Sequence, residues 1–218
     1  MKVFAINGSP RDKYNTAKML DVFLEGVLSA DGDAEVKRID LYKLNYKGCT
    51  ECFGCKVKGS VNYGKCCYKD EITELLEEVS AADIIVFGSP VFFGGITGQL
   101  MCFLERLLYP FTAFKKDAER VIAPRKIKTA FVHTMNISED MAKMVGYENK
   151  LSETHRWVQH VFGFEPKVKY VCDIYQLDNH EKFEFDIWDW DAKRTRHEEV
   201  FPKELDDFKK LGRSMVFE

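Results

Sequence analysis

Length, composition and charge exclude several classes of protein. The chain has 218 residues, of which 45% are hydrophobic and 31% are charged, and its net charge is −3. These values are ordinary for a soluble globular protein, and the length favours one domain. Because the charges are interspersed without a dense basic face, we do not expect nucleic acid as a partner. No apolar run approaches the roughly 20 residues of a membrane helix, so we expect no membrane association and a cytoplasmic location.

Alternating strand and helix patterns over the first 133 residues predict a parallel sheet with helices on both faces. The pattern predicts strands over 2–7, 35–41, 84–87, 126–133 and 168–174, and helices over 16–30, 70–80, 99–108, 138–162 and 202–215. Five strands with intervening helices favour a doubly wound α/β sheet of order 2-1-3-4-5. We expect one domain over 1–175, with a cysteine-rich loop at 48–68, and a C-terminal extension over 176–218 that packs on the same domain or on a partner subunit.

A polar loop follows the first predicted strand and leads directly into a helix. In doubly wound sheets ligands bind at the carboxyl ends of strands, and a helix N-terminus offers unpaired amides and a favourable dipole to an anion. Ser9 and Thr16 add hydroxyl groups, Asn15 an amide, and Arg11 a forked cation suited to phosphate oxygens. The loop is therefore a candidate phosphate site. The plainer interpretation is that Asn15 or Thr16 only caps the helix.

The loop after the third predicted strand combines aromatic residues with glycines. Phe92 and Phe93 stand beside Gly94 and Gly95. Glycines allow a backbone to approach a flat ligand closely, and the aromatic side chains would wall such a ligand. The alternative is that Phe92 and Phe93 belong to the core and that the glycines only turn the chain.

Three motifs in order resemble the NADPH-dependent FMN reductase family, including its iron–sulfur flavoprotein branch. They are Gly8-Ser9-Pro10-Arg11 with Asn15-Thr16, a Cys-x-x-Cys-x-x-Cys motif, and the run from Ser89 to Thr97. The resemblance covers roughly residues 1–135. It implies a flavodoxin-like fold and noncovalently bound FMN.

The resemblance also implies three sets of FMN contacts. The phosphate would be held by Ser9, Arg11, Asn15 and Thr16. The isoalloxazine edge would lie along Pro90, Val91, Phe92, Phe93, Gly94 and Gly95. The far side of the ring or the ribityl chain would contact the tip after the fourth strand, at Thr134 and Asn136.

The implied activity is an oxidoreductase that passes electrons from NAD(P)H through FMN to a small acceptor such as a quinone or free flavin. Since the flavin does the chemistry, no side-chain acid or base is required, and we assign no catalytic residue. We expect FMN and not FAD, because the sequence has no dinucleotide fingerprint for an adenosine half.

Five of the seven cysteines fall within nineteen residues, at Cys49, Cys52, Cys55, Cys66 and Cys67. Such a cluster in a cytosolic protein suggests a metal, an iron–sulfur cluster or redox chemistry before it suggests structural disulfides. The first four resemble the 4Fe–4S motif of the iron–sulfur branch, whose members suggest the alternative function of an electron carrier. Ten residues separate Cys55 from Cys66, longer than that branch uses.

For this reason we expect protein isolated in air to lack the cluster. Thiols packed in an oligomer interface, a zinc site and a redox disulfide stay open as alternatives for the cysteines.

The segment over 173–196 interleaves acidic residues with Phe183, Phe185, Trp188 and Trp190. These aromatics are too many to leave in water, yet the charges suit no core interior. Apolar patches of this kind are typical of interfaces. We expect the segment to pack against a second subunit of a homodimer or homotetramer and to wall the ligand cleft.

Overall fold

A computed structural model describes residues 1–116 and 120–218. Within these residues a five-stranded sheet, parallel throughout, has the order β2-β1-β3-β4-β5. The strands are β1 (Lys2–Asn7), β2 (Glu35–Asp40), β3 (Ile84–Pro90), β4 (Lys128–Thr134) and β5 (Lys167–Val171). The predicted doubly wound order is confirmed.

Helices cover both faces of the sheet. They are α1 (Asn15–Ala30), α2 (Thr73–Ser80), α3 (Gly98–Leu108), α4 (Glu139–Met144), α5 (Tyr147–Phe162), α6 (Trp190–Glu199) and α7 (Phe201–Met215). Along β3, Ile84 and Val86 join the core under α1 and α7, whereas Ile85 and Phe87 join the core under α2, α3 and α5. Successive side chains of a strand point to opposite faces, so the continuous apolar run of β3 fills both cores. None of the helices among the described residues has the length and apolarity that crossing a membrane requires.

Helix α7 packs unusually close to α1. A Cβ atom on Gly26 of α1 would lie 1.9 Å from the carbonyl oxygen of Lys209, and one on Gly212 of α7 would lie 2.2 Å from that of Phe23. The rings of Phe23 and Phe208 meet between the helices, with 5.3 Å between their centroids. The C-terminal extension thus supplies the outer wall of the core beneath α1.

The structure differs from the predicted elements in two places. The single helix expected over 138–162 is wrong: α4 and α5 are separated at Gly146, whose φ of 70° is left-handed and ends the helical path. Helix α6 was not predicted, because its sequence is charged on all sides and has no apolar stripe. The Asp189 side chain caps α6 by accepting the N–H of Ala192 at 2.9 Å.

Two histidines, one on β4 and one on α5, form a pair inside the protein. His133 is fully buried and His155 of α5 nearly so, and their Nε2 atoms are 2.8 Å apart. One ring therefore donates to the other, which requires the accepting ring to be neutral. Burial lowers the pKa of His133 to about 3, helped by the neighbouring His155, and lowers the pKa of His155 to about 4.

We predict that this pair makes the protein acid-sensitive. Both folded-state pKa values lie below the unfolded value of about 6.5, so the unfolded chain binds more protons as the pH falls. The neutral pair contributes fully to the free energy of unfolding above pH ~6.5. On acidification that free energy falls by up to about 1.4 kcal/mol per pH unit for each histidine. Urea unfolding at pH 7.5 and pH 5 measures this dependence.

A double variant, His133→Phe with His155→Phe, should lose that part of the pH dependence, because both partners of the hydrogen bond are removed together. His160→Gln serves as the control, since His160 is exposed on the same helix as His155. An equal loss of stability between the two pH values in wild type and the double variant would contradict the prediction.

Candidate functional site

Hydrogen bonds join the loops that follow β1, β3 and β4. The hydroxyl of Thr97 donates to the carbonyl of Gly8 at 2.7 Å, and the N–H of Thr97 donates to the Ser89 hydroxyl at 3.0 Å. The hydroxyls of Thr16 and Thr134 lie 2.8 Å apart. All of these side chains are buried. The three predicted site loops therefore form one connected unit at the carboxyl edge of the sheet.

The loop after β1 presents backbone donors at the start of α1. No acceptor within 1–116 and 120–218 receives the N–H groups of Asn15, Thr16 or Ala17. The Ser9 hydroxyl accepts the N–H of Arg11 at 3.1 Å, which folds the loop back toward the helix. Unpaired N–H groups at the positive end of a helix dipole are a favourable site for an anion. The geometry of this loop suits a phosphate group.

Two side chains expected at the phosphate reach instead to the chain after β5. Arg11 donates to the carbonyl of Gln176 at 2.6 Å, and Asn15 donates to the carbonyl of Tyr175 at 2.9 Å. The Arg11 guanidinium also stacks on Tyr14, 4.3 Å from the ring centroid. Arg11 and Asn15 thus tie residues 175–176 to the edge of the loop.

The loop after β3 is a tight hairpin turn. Phe92 and Gly95 exchange two backbone hydrogen bonds, of 2.9 and 3.0 Å, around Phe93 and Gly94, whose φ angles are 53° and 81°. Two successive left-handed residues are typical of a type I′ turn. Phe93 is fully exposed and Phe92 half exposed, so neither is the core aromatic of the plainer interpretation.

Burial of the two phenylalanine rings does not explain this turn, because both are exposed. A left-handed phenylalanine costs about 1–2 kcal/mol, and such strain clusters at ligand sites. The N–H groups of Phe93 and Gly94 have no acceptor among the residues that the structure describes. A Cβ atom on Gly94 would lie 3.1 Å from the Tyr147 ring and would push it aside, and the φ of 81° favours glycine as well. The turn presents two free donors beside two aromatic rings.

A buried lysine supports the loop after β4. Lys193 of α6 donates to the carbonyl of Asn136 at 2.7 Å and to the carboxylate of Asp173, and its ammonium lies 4.8 Å from the Trp188 ring centroid. Its side chain is 3% exposed. The Oδ1 atom of Asn136 is buried and has no partner within the described part of the chain. Sequence reasoning missed Lys193, since a lysine in a charged helix ordinarily points to solvent.

The segment over 173–196 is folded largely on its own chain. Trp190 is 9% exposed, stacks on His180 at 4.9 Å and donates from its indole N–H to the carbonyl of Phe185 at 3.1 Å. Contacts within the chain therefore cover Trp190, and the packing of the segment against a second subunit stays a prediction. Phe183 and Phe185 remain exposed.

All five clustered cysteines line one small cavity between the 48–68 loop and the end of α3. The Arg106 side chain, 1% exposed, donates to the Cys66 sulfur at 3.3 Å, to the carbonyls of Lys47 and Tyr68 and to the Asp70 carboxylate. Burial acts to raise the pKa of Asp70, but Arg106 outweighs it and holds that pKa below its usual value. One feature of the sequence could have identified Arg106 as a buried cation: it lies among the apolar residues of the helix predicted over 99–108.

No group of three His, Cys, Asp or Glu side chains within 1–116 and 120–218 is close enough to hold a single metal ion. The thiols that line the cavity instead differ in exposure. Cys49 and Cys52 are exposed, Cys66 and Cys67 are partly buried, and Cys55 is buried.

Comparison with curated proteins finds relatives over the first part of the chain. An iron–sulfur flavoprotein of Archaeoglobus fulgidus is 35% identical over 125 residues, which is 57% of this chain and 57% of the relative. Another, from Methanocaldococcus jannaschii, is 36% identical over 106 residues, which is 49% of this chain and 51% of the relative. The chain spans about half the length of the curated relatives it matches.

Solved structures share the fold over almost the whole chain. An NAD(P)H:quinone oxidoreductase from Methanothermobacter marburgensis has a TM-score of 0.65 and 15% identity, covering 99% of this chain and 96% of its own. An FMN-dependent NADH-azoreductase from Bacillus anthracis, solved with FMN, has a TM-score of 0.65 and 12% identity, covering 98% of each chain. At such identities the likeness establishes the fold alone, and it confirms the predicted flavodoxin-like architecture.

The family comparison covers both motif-bearing loops and the cysteine motif between them. The model of the NADPH-dependent FMN reductase family matches residues 1–158, well over half of the sequence. The matched range contains β1 to β4 and the loops that Thr97 joins. The chain belongs to the NADPH-dependent FMN reductase family.

Proposed function

We propose that this protein is an FMN-dependent oxidoreductase that takes electrons from NAD(P)H and passes them to a small acceptor such as a quinone or a free flavin. The observation that carries the proposal is the pairing of two donor sets: the free N–H groups at the start of α1 and those at the Phe93–Gly94 turn. Thr97 connects the two through Gly8. Membership of a family named for NADPH-dependent FMN reduction supports the same proposal.

The phosphate end of FMN fits the loop after β1. The N–H groups of Asn15, Thr16 and Ala17 would donate to its oxygens, and the first turn of α1 carries no acidic residue that would repel it. The buried hydroxyls of Ser9 and Thr16 lie in the same loop. Arg11 would add a charge-assisted contact by exchanging its bond to the Gln176 carbonyl for one to the phosphate.

The ring end of FMN fits the turn after β3. The N–H groups of Phe93 and Gly94 would donate to acceptor atoms on the ring edge, and the exposed Phe92 and Phe93 side chains would cover the ring from water. When bound, FMN supplies the redox chemistry by accepting a hydride from NAD(P)H and releasing the electrons to an acceptor. With FMN bound, the fixed N–H groups of Phe93 and Gly94 would stabilise the negative charge that reduction places on the ring. In this proposal the chain positions and polarises the flavin, and no side chain is required to act as an acid or a base.

A flavin titration tests the proposal directly. Fluorescence quenching should show tight binding of FMN, weaker binding of FAD and much weaker binding of riboflavin, because only FMN has a terminal phosphate for the α1 N-terminus. NADPH and NADH oxidation with a benzoquinone acceptor should then depend on added FMN. Riboflavin binding as tightly as FMN, or FAD as the preferred flavin, would contradict the proposed site.

We predict that Thr97→Val weakens FMN binding about tenfold. Valine keeps the shape of threonine but leaves the buried Gly8 carbonyl without its donor, which costs about 1–3 kcal/mol and loosens both loops. Thr195→Val is the matched control, since Thr195 is exposed on α6. Equal FMN affinities for Thr97→Val and wild type would show that the Thr97 hydroxyl does not hold the site together.

The cysteine cavity favours a second candidate function, an electron carrier in which FMN works with a 4Fe–4S cluster. Cys49, Cys52, Cys55 and Cys66 line one cavity, and the Arg106 guanidinium beside Cys66 would offset the negative charge that thiolate ligands bring. The curated relatives cited above carry the name iron–sulfur flavoprotein, which supports this candidate.

Protein purified in air should nevertheless contain no cluster, since the ten-residue gap before Cys66 departs from the motif of the iron–sulfur branch. Anaerobic reconstitution with iron and sulfide decides the matter. About four irons per chain with broad absorption near the flavin bands, lost in Cys52→Ser but kept in Cys172→Ala, would establish the electron carrier. Cys172 is a suitable control because it lies at β5, away from the cavity.

A further inference from the structure

Two of the clustered cysteines are in direct contact. The Sγ atoms of Cys52 and Cys67 lie 3.8 Å apart, and Cys52 is exposed while Cys67 is partly buried. Two other thiols of the cavity are less available for a disulfide, because the Cys66 sulfur accepts a hydrogen bond from Arg106 and Cys55 is buried. We propose that Cys52 and Cys67 form a reversible disulfide that closes the loop between them.

The backbone around Cys52 holds its sulfur at this position. Glu51 and Phe53, the residues on either side, have φ angles of 52° and 53°, a left-handed conformation that ordinary residues avoid. Two such residues flanking one cysteine form a sharp, strained turn, and strain of this kind is typical of functional sites. Cys52 is consequently presented at the tip of the turn and is accessible to reagents.

Gly54 provides the space for the second sulfur. A Cβ atom on Gly54 would lie 2.2 Å from the Cys67 sulfur, so Cys67 occupies the volume that any other side chain would need. The two sulfurs need to move by less than 2 Å to reach the S–S bond length of about 2 Å. The segment between them contains only the short helical turn Gly54–Lys56 and hydrogen-bonded turns, so the loop can follow.

The oxidation balances with a soluble disulfide as oxidant. The Cys52 thiolate attacks one sulfur of the small disulfide RSSR, forming a mixed disulfide and releasing RS⁻, which takes up the proton lost by Cys52. The Cys67 thiolate then attacks the Cys52 sulfur, and the second thiol leaves with the proton lost by Cys67. Two thiols are oxidised by two electrons, and RSSR is reduced to two RSH.

The disulfide would compete with any cluster for Cys52, which is one of the four cysteines of the motif. This consequence rests on the second candidate function, whereas the disulfide itself does not. Reduced protein would then accept iron and sulfide, and oxidised protein would not. The fifth cysteine, Cys67, gains a role as the partner that withdraws a ligand from the cluster site.

A peptide map of the full chain tests the proposal. Protein treated with oxidised glutathione is alkylated and digested with trypsin without reduction. Cleavage after Lys47, Lys56, Lys65 and Lys69 gives the peptides 48–56 and 66–69. We expect these two peptides to be linked, to separate on reduction, and to be two hydrogens lighter together than apart. Recovery of both peptides with every cysteine alkylated would overturn the proposal.

Single substitutions identify the pair, because each peptide contains more than one cysteine. Cys52→Ser and Cys67→Ser should abolish the link, while Cys49→Ser and Cys66→Ser should keep it. A link that persists in Cys52→Ser or Cys67→Ser would assign the disulfide to other residues and overturn the pairing. Circular dichroism of each variant confirms that it is folded.

Gly54→Ala tests the geometry without removing a thiol. The new methyl group displaces the Cys67 sulfur, so the linked species should form several-fold more slowly than in wild type. Gly32→Ala is the control, since a Cβ atom there meets nothing within 4 Å. Equal rates of disulfide formation in Gly54→Ala and wild type would overturn the proposed contact between the Cys52 and Cys67 sulfurs. None of these experiments uses iron. A negative result for the disulfide is therefore distinct from a negative result for the electron carrier with a 4Fe–4S cluster.

Discussion

The register of three parallel strands determines where the candidate ligand-binding loops begin. Asn7 at the end of β1 lies opposite Gly88 of β3, and Pro90 at the end of β3 lies opposite Thr134 of β4. A shift of one residue would turn the side chains of each strand to the other face and separate the loops. With the register fixed, the buried Thr97 hydroxyl and the N–H of Gly8, which donates to the Gly88 carbonyl at 2.7 Å, join the first two loops, and the Thr16–Thr134 contact joins the third.

A different device organises the cysteine loop, which has little regular structure of its own. The buried guanidinium of Arg106 gathers the loop by bonding two backbone carbonyls, the Asp70 carboxylate and the Cys66 sulfur. Removing one partner of such a network leaves a buried charge uncompensated, so the loop and α3 depend on each other. Because Thr97 caps the N-terminus of α3, one helix positions the cysteine cavity at its C-terminal end and the Gly8 carbonyl at its N-terminal end.

Much of the fold could be predicted from the sequence, because local patterns carry it. The apolar runs of β1 and β3 and the stripes of α1 and α3 establish the alternation and thereby the strand order. Helix α6 could not be predicted, because its stability comes from the Asp189 cap and the contacts of Trp190 and Lys193 and not from an apolar periodicity in its sequence. The break at Gly146 also escaped, because the helical periodicity continues on both sides of it.

The candidate site was predictable in its loops but not in its contacts. The motifs identified the two loops after β1 and β3, and the structure brings them together. The partners of Arg11 and Asn15 lie 165 and 160 residues away in sequence, at Gln176 and Tyr175, and no local signal links them. The contacts of Arg106 and Lys193 could not be predicted for the same reason, because they form only when both side chains are buried in the folded chain.

The close fit of α1 and α7 has a consequence for biosynthesis. Helix α1 carries the phosphate loop at its start and packs backbone to backbone on α7 through Gly26 and Gly212. The ribosome makes α1 and every strand of the sheet before it makes α7, so the Phe23 ring lacks its partner Phe208 until then. The α1 N-terminus gains its rigid support only when residues 201–215 have left the exit tunnel. The start of α1 is made early and braced late, so the order of synthesis separates the loop from its support.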